Sequence, residues 1–178
     1  MRIRSVPQPP PPPPPPYPET GLDRILKDKQ LQNFWFKRLI AYIIDIVIVG
    51  IAVSFLALLI AIPYIIDFLH NGFRPESWAP WSAFPALISV ISLLYFAFLE
   101  SSRGQTIGKS ILGLKVITGK GEKPTLDKAF LRSLSKLHWV LLLLDILFGL
   151  GTRGNPEQKF SDRYTDTFVT TAKIGREL

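Results

Sequence analysis

The chain contains no cysteine. That excludes a disulfide framework, a thiol nucleophile and a thiolate metal site. It has two histidines, His70 and His138, too few to build a histidine-rich metal centre. No Ser-His-Asp order and no paired carboxylates at a familiar spacing stand out. The sequence therefore offers no catalytic residues, no metal site and no cofactor site, and the reading is that the protein is not an enzyme. Two glycine motifs fail on inspection. GLGTRG (Gly149–Gly154) matches the dinucleotide fingerprint but is followed by Asn155-Pro156 and belongs to no βαβ unit. GQTIGKS (Gly104–Ser110) resembles a phosphate-binding loop, but Arg103 stands where its first glycine belongs. Residues 1–20 lack the apolar stretch of a secretory leader.

What the chain does have is long apolar runs. It is 47% hydrophobic over 178 residues, which places it in the membrane class as one compact unit. FWFKRLIAYIIDIVIVGIAVSFLALLI (Phe34–Ile60) opens the first run, and a span is predicted over about 39–62. About 20 helical residues cross a hydrocarbon core of roughly 30 Å. A second span is predicted over 82–99, with Ser82, Ser89 and Ser92 giving it a small polar side. The third apolar segment, over 130–150, is predicted to be membrane-embedded, either as a span or as a re-entrant turn.

Outside these runs the chain is polar. Pro9 to Pro16 are eight consecutive prolines. Without backbone donors they predict a solvated extended rod of about 25 Å, making residues 1–20 a disordered arm. Residues 21–33 predict a short amphipathic helix at the membrane surface. GLKVI (Gly113–Ile117) and TFVTT (Thr167–Thr171) read as short strands that pair with one another. The membrane domain is assigned to 34–172 and the tail to 173–178. The predicted fold is mainly α: a multi-pass membrane helical bundle carrying a small strand pair.

Basic residues fix an orientation. The loop 67–81 carries one, Arg74, while 100–136 carries eight and 1–38 carries seven. The N-terminus and the 100–136 connection are thus predicted to be cytoplasmic, in an inner-membrane protein. This distribution also accounts for the net charge of +7, so no nucleic-acid partner is needed. Lys109, Lys115 and Arg132 read first as positive-inside anchors or lipid-headgroup contacts.

FKRLIAYIID sets Arg38 and Asp45 seven residues apart, and ESSRGQTIGKSILGLKVI follows the second span with Glu100, Gly104, Thr106, Gly108 and Lys109. Arg132 precedes the third segment, and Asp162, Arg163, Thr167 and Val169 lie near the end. In this order the chain resembles the RDD family of bacterial membrane proteins. The resemblance makes Arg38, Asp45 and Asp162 the family's arginine and two aspartates, with Asp145 a rival for the second. It departs from the family's pattern at Ser161 and Asp166. It implies a multi-pass membrane protein for which transport has been suggested.

Asp45 costs about 2.5–3.5 kcal/mol at the centre of a span. It lies roughly 10 Å along the helix axis from Arg38, and an arginine there snorkels outward, so each is expected to find another partner. Candidates for Asp45 are Arg103, Lys109, Arg132 or a bound cation. His138, Asp145 and Thr152 make a second polar stripe at seven-residue spacing. Asp45, Asp145 and His138 are the candidate ion or ligand site. Two functions follow. One is a small transporter, exchanging a cation or other small ligand with protons and acting as a homo-oligomer in the bilayer. The other is a non-transporting membrane scaffold in which Arg38 and Asp45 are structural locks.

Overall fold

The computed structural model describes residues 20–72, 74, 82 and 84–171. The proline arm, the two loop tryptophans Trp78 and Trp81, and the tail 173–178 lie outside the described residues. Helix α1 (Gly21–Lys27) opens with a capping box in which Thr20 and Asp23 satisfy each other's backbone N–H groups. Gly21 packs on the chain at Leu150, where an added Cβ would lie 2.9 Å from the Leu150 carbonyl oxygen. Asp28 is extended and stops α1. Its carboxylate then accepts from the Gln30 and Leu31 N–H groups and starts α2.

Helix α2 (Lys29–Asn71) has 43 residues, about 65 Å at 1.5 Å per residue. It thus includes both the surface segment from Lys29 on and the first predicted span. Most of it turns apolar side chains outward, with Phe55 63% and Ile51 68% exposed. One stripe faces inward: Ala41, Asp45, Val49 and Val53, each a helical turn apart. Helix α3 (Phe84–Arg103) buries Leu93, Phe96, Ala97 and Glu100 by the same periodicity. These two helices are long and apolar enough to cross a membrane.

Gly104, at φ 71°, ends α3 with its N–H on the Glu100 carbonyl and its own carbonyl accepting from Val116 N–H. Helix α4 (Ile107–Ile111) and strand β1 (Leu114–Thr118) follow. Strand β1 pairs antiparallel with β2 (Thr167–Thr171), in register Leu114 to Thr171 and Thr118 to Thr167. The predicted strand pair is thus present, one residue later in β1 because Gly113 adopts φ 63° as the turn. Leu114, Val116 and Val169 pack on Ala41 of α2. Asp166, just before β2, adopts φ 50°, a conformation that aspartate tolerates better than most residues.

The third apolar segment is not one helix. Helix α5 (Leu126–Leu134) runs into a 3₁₀ turn (Ser135–Leu137), and the chain bends by 113° before α6 (Trp139–Gly151). At the bend His138 is extended and caps α6, its ring nitrogen accepting from Val140 N–H. Helix α6 has 13 residues, about 20 Å of rise, short of a span by itself. The segment 130–150 is therefore a bent pair, in the shape of a broken span or a re-entrant turn. Helix α7 (Phe160–Tyr164) brings Asp162 in just ahead of β2.

Candidate functional site

Asp45 is fully buried, and its donors are neutral. Tyr95 of α3 donates its hydroxyl to Oδ1 at 2.8 Å. The Gly108 N–H donates to the same oxygen at 2.8 Å, and the Thr106 hydroxyl donates to Oδ2 at 2.5 Å. Thr106 at the same time caps α4. An added Cβ on Gly108 would run into the Ala41 carbonyl oxygen and stand 3.0 Å from Asp45 Cγ. The Thr-x-Gly spacing therefore has a mechanical meaning: a hydroxyl reaches the carboxylate, and a bare backbone lets α4 come close behind it. None of the expected cations holds Asp45 in an ion pair. Arg103 is exposed, and Lys109 and Arg132 are engaged by other carboxylates. Two hydroxyls, of Tyr95 and Thr106, and the Gly108 N–H at the start of α4 take their place.

Glu100 is fully buried among cations. Lys109 lies 2.6 Å and Lys136 2.9 Å from its Oε1, with Arg132 Nε a longer 3.7 Å from Oε2. Lys136 also sits 3.8 Å over the Phe96 ring. Burial pushes the Lys109 ammonium below its ordinary pKa, and Glu100 offsets part of that. The reading of Lys109 and Arg132 as surface anchors is corrected here. Both are buried, because Glu100, near the end of α3, draws them in.

Asp162 is the second meeting point. Arg38 Nη2 donates to Oδ2 at 2.8 Å and Arg132 Nη2 stands 3.0 Å from Oδ1. Burial alone would raise the Asp162 carboxyl. Arg132 and then Arg38 outweigh it and hold the group well below the usual carboxylate range. Arg38 also donates to the Glu157 carbonyl and lies 4.7 Å over the Trp35 ring. Arg38 thus pairs with Asp162, 124 residues away, and not with Asp45 on its own helix.

Asp145 has a third set of donors: Lys159 Nζ at 2.6 Å, Ser161 N–H at 2.6 Å and the Ser161 hydroxyl at 2.8 Å. Its predicted stripe-mates are elsewhere. His138 is exposed at the bend, and Thr152 holds Arg163 at 2.7 Å. Sequence reasoning missed Tyr95, Lys136 and Lys159. A lysine in a polar tail carries no sign that it will be buried against an aspartate on another helix.

The cluster carries a charge surplus. Arg38, Lys109, Arg132, Lys136 and Lys159 stand against four carboxylates, Asp45, Glu100, Asp145 and Asp162. All five cations line one cavity of about 100 Å³, with Asp45 the sole carboxylate among the lining residues. Arg132 is 1% exposed, and its Nε and Nη1 have no hydrogen-bond partner among the described residues. Nε faces Glu100 loosely, which leaves Nη1 as a buried donor without an acceptor. An arginine cannot shed its proton to relieve that state. A buried donor left unpaired costs about 1–3 kcal/mol, more when charged. Among the described residues no group of histidines and carboxylates is placed to hold a metal ion.

A model of the RDD family matches residues 33–166. The matched stretch takes in each residue of the cluster. The chain is also similar to YxaI of Bacillus subtilis (strain 168), an uncharacterised protein. The two are 30% identical over 114 residues, covering 64% of this chain and 67% of that one. No solved structure matches the chain.

Proposed function

The chain belongs to the RDD family, and from that premise we propose that it is a multi-pass membrane module that binds an anion in its basic cavity. The carrying observation is Arg132, buried on the cavity wall with Nη1 lacking an acceptor. With every lysine protonated, a formal surplus of one positive charge in the cluster supports the same reading. In it Arg38 and Asp45 are structural locks. Arg38 fastens α2 to α7, and Asp45 fastens α2 to α3 and α4. The surrounding partner is the lipid bilayer, and no second copy is required.

The test uses the full chain in detergent, its thermal unfolding followed at constant ionic strength with inorganic phosphate or with chloride. A ligand present at 100 times its Kd stabilises by about 2.7 kcal/mol. Phosphate is expected to raise Tm saturably and chloride is not. Equal behaviour of the two anions would remove the reading.

One observation favours exchange of a cation for protons at Asp45. Among the described ion pairs none involves Asp45, alone of the four buried carboxylates. That version needs a homo-oligomer to enclose a path. Cation flux into proteoliposomes, wild type beside Asp45→Asn, decides it. Flux that the substitution abolishes while the fold persists would favour transport.

A further inference from the structure

We propose that the anion in this cavity is the phosphate of an anionic phospholipid, entering from the bilayer between α2 and α6. This rests on the anion-binding reading above and goes further by naming the source of the phosphate.

The cavity is lined by both basic and apolar side chains. Leu39 and Tyr42 of α2 and Leu142 and Ile146 of α6 complete the wall that the cations begin. Its volume of about 100 Å³ is several times the roughly 10–15 Å³ that admits one water, and suits a tetrahedral oxyanion rather than a whole lipid. Acyl chains must then stay outside, where the apolar surface is already exposed. Leu39 is 53% exposed, and Leu143 and Leu147 of α6 are open as well.

Depth agrees with this assignment. Arg38 stands at the start of the apolar run of α2, with Trp35 stacked against it. Aromatic and basic residues at a span's entrance sit at headgroup level. The Arg38 end of the cavity therefore lies at the level of one leaflet's phosphates, and basic pockets between membrane helices hold anionic headgroups.

Charge agrees too. A phosphodiester carries one negative charge, equal to the formal surplus of five cations over four carboxylates when every lysine is protonated. Its two non-bridging oxygens can accept from Arg132 Nη1 and from a neighbouring ammonium. A zwitterionic headgroup would bring a further cation to a cavity that already holds five. A lipid is already held in the surrounding micelle or bilayer, so its phosphate meets the cavity at a high effective concentration that free phosphate lacks.

The experiment is native mass spectrometry with parallel Tm measurement on the full chain in detergent. Phosphatidylglycerol, phosphatidylcholine and inorganic phosphate are titrated separately, on wild type, Ile146→Trp and Lys136→Gln. Ile146→Trp fills the apolar wall and leaves every cation in place. Lys136→Gln removes a cation while Glu100 keeps Lys109, so one variant remains informative if the other fails to fold. The expected result is one tightly held phosphatidylglycerol, bound on the order of tenfold or more tighter than phosphate, by effective concentration, and than phosphatidylcholine, by headgroup charge. Either folded variant should lose that preference. Phosphate binding with no preference for phosphatidylglycerol overturns the lipid assignment and leaves the anion reading standing. Equal retention of the two lipids overturns it as well, as does a preference that survives both variants. Binding of neither phosphate nor phosphatidylglycerol overturns both readings together.

Discussion

Asn and Ala at position 45 separate a lock from an ion site. Wild-type Asp45 accepts three hydrogen bonds, two on Oδ1 from Tyr95 and Gly108 and one on Oδ2 from Thr106. In Asp45→Asn the amide oxygen can occupy the Oδ1 place and keep the first two. The amide NH₂ then faces the Thr106 hydroxyl, which rotates to accept. What is lost is the charge. Hydrogen bonds to charged groups contribute about 1.5–3 kcal/mol and neutral ones about 0.5–1.5, so three bonds weaken by about 1 kcal/mol each. An amide is easier to bury than a carboxylate, which offsets part of that sum. The net expectation for Asp45→Asn is a loss of about 1–2 kcal/mol. Asp45→Ala strands all three donors, at about 1–3 kcal/mol each, or roughly 3–9 kcal/mol in total. Unfolding in mixed micelles with increasing denaturing detergent, read by tryptophan fluorescence, measures both. Asp45→Ala is expected to fall at least about 1 kcal/mol below Asp45→Asn. Equal stability of Ala, Asn and wild type would refute the lock.

Gly108→Ala forces a methyl against the Ala41 carbonyl and is expected to cost about 1–3 kcal/mol by the same assay, or more if α4 lifts off Asp45. Lys159→Met leaves Asp145 buried without its cation and should cost about 3–5 kcal/mol; adding Asp145→Leu should recover part of it, and simple additivity in the double-mutant cycle would contradict the pairing. Asp162 has a depressed folded pKa, so its stabilisation is present above the unfolded carboxylate value of about 3.9 and is lost as pH falls toward the folded value. Tm is accordingly expected to drop below about pH 4, and Asp162→Asn should lower Tm at neutral pH and flatten that acid limb. Because the chain has no cysteine, Asn71→Cys and Gly121→Cys can be labelled one at a time in whole cells; an impermeant reagent should reach the first and miss the second, and the reverse would invert the orientation.

The elements whose cause is local were legible in the sequence. The alternation in Leu114–Thr118 and Thr167–Thr171 needs no distant residue, and the strands pair as that pattern requires. The two long apolar runs gave the helices α2 and α3 for the same reason. The bend at His138 was not legible, since leucines continue on both sides of it and apolar content does not report direction. Nor was the site's wiring. Arg38 and Asp45 were singled out because charge in an apolar run is costly, but their partners lie 124 and 61 residues away along the chain. Seven-residue spacing suggested that His138, Asp145 and Thr152 act together. The bend and the tail instead give each its own partner. Lys159 left no trace at all, because its burial depends on where α7 docks.

The most direct test of an anion held by Arg132 is an experimental structure of the full chain in nanodiscs containing phosphatidylglycerol. Tetrahedral density within hydrogen-bonding distance of Arg132 Nη1, continuous with chain density beside Leu39 and Ile146, is the expected result. An empty or water-filled cavity, or a cation bound at Asp45 in place of its Thr106 and Gly108 donors, would contradict it.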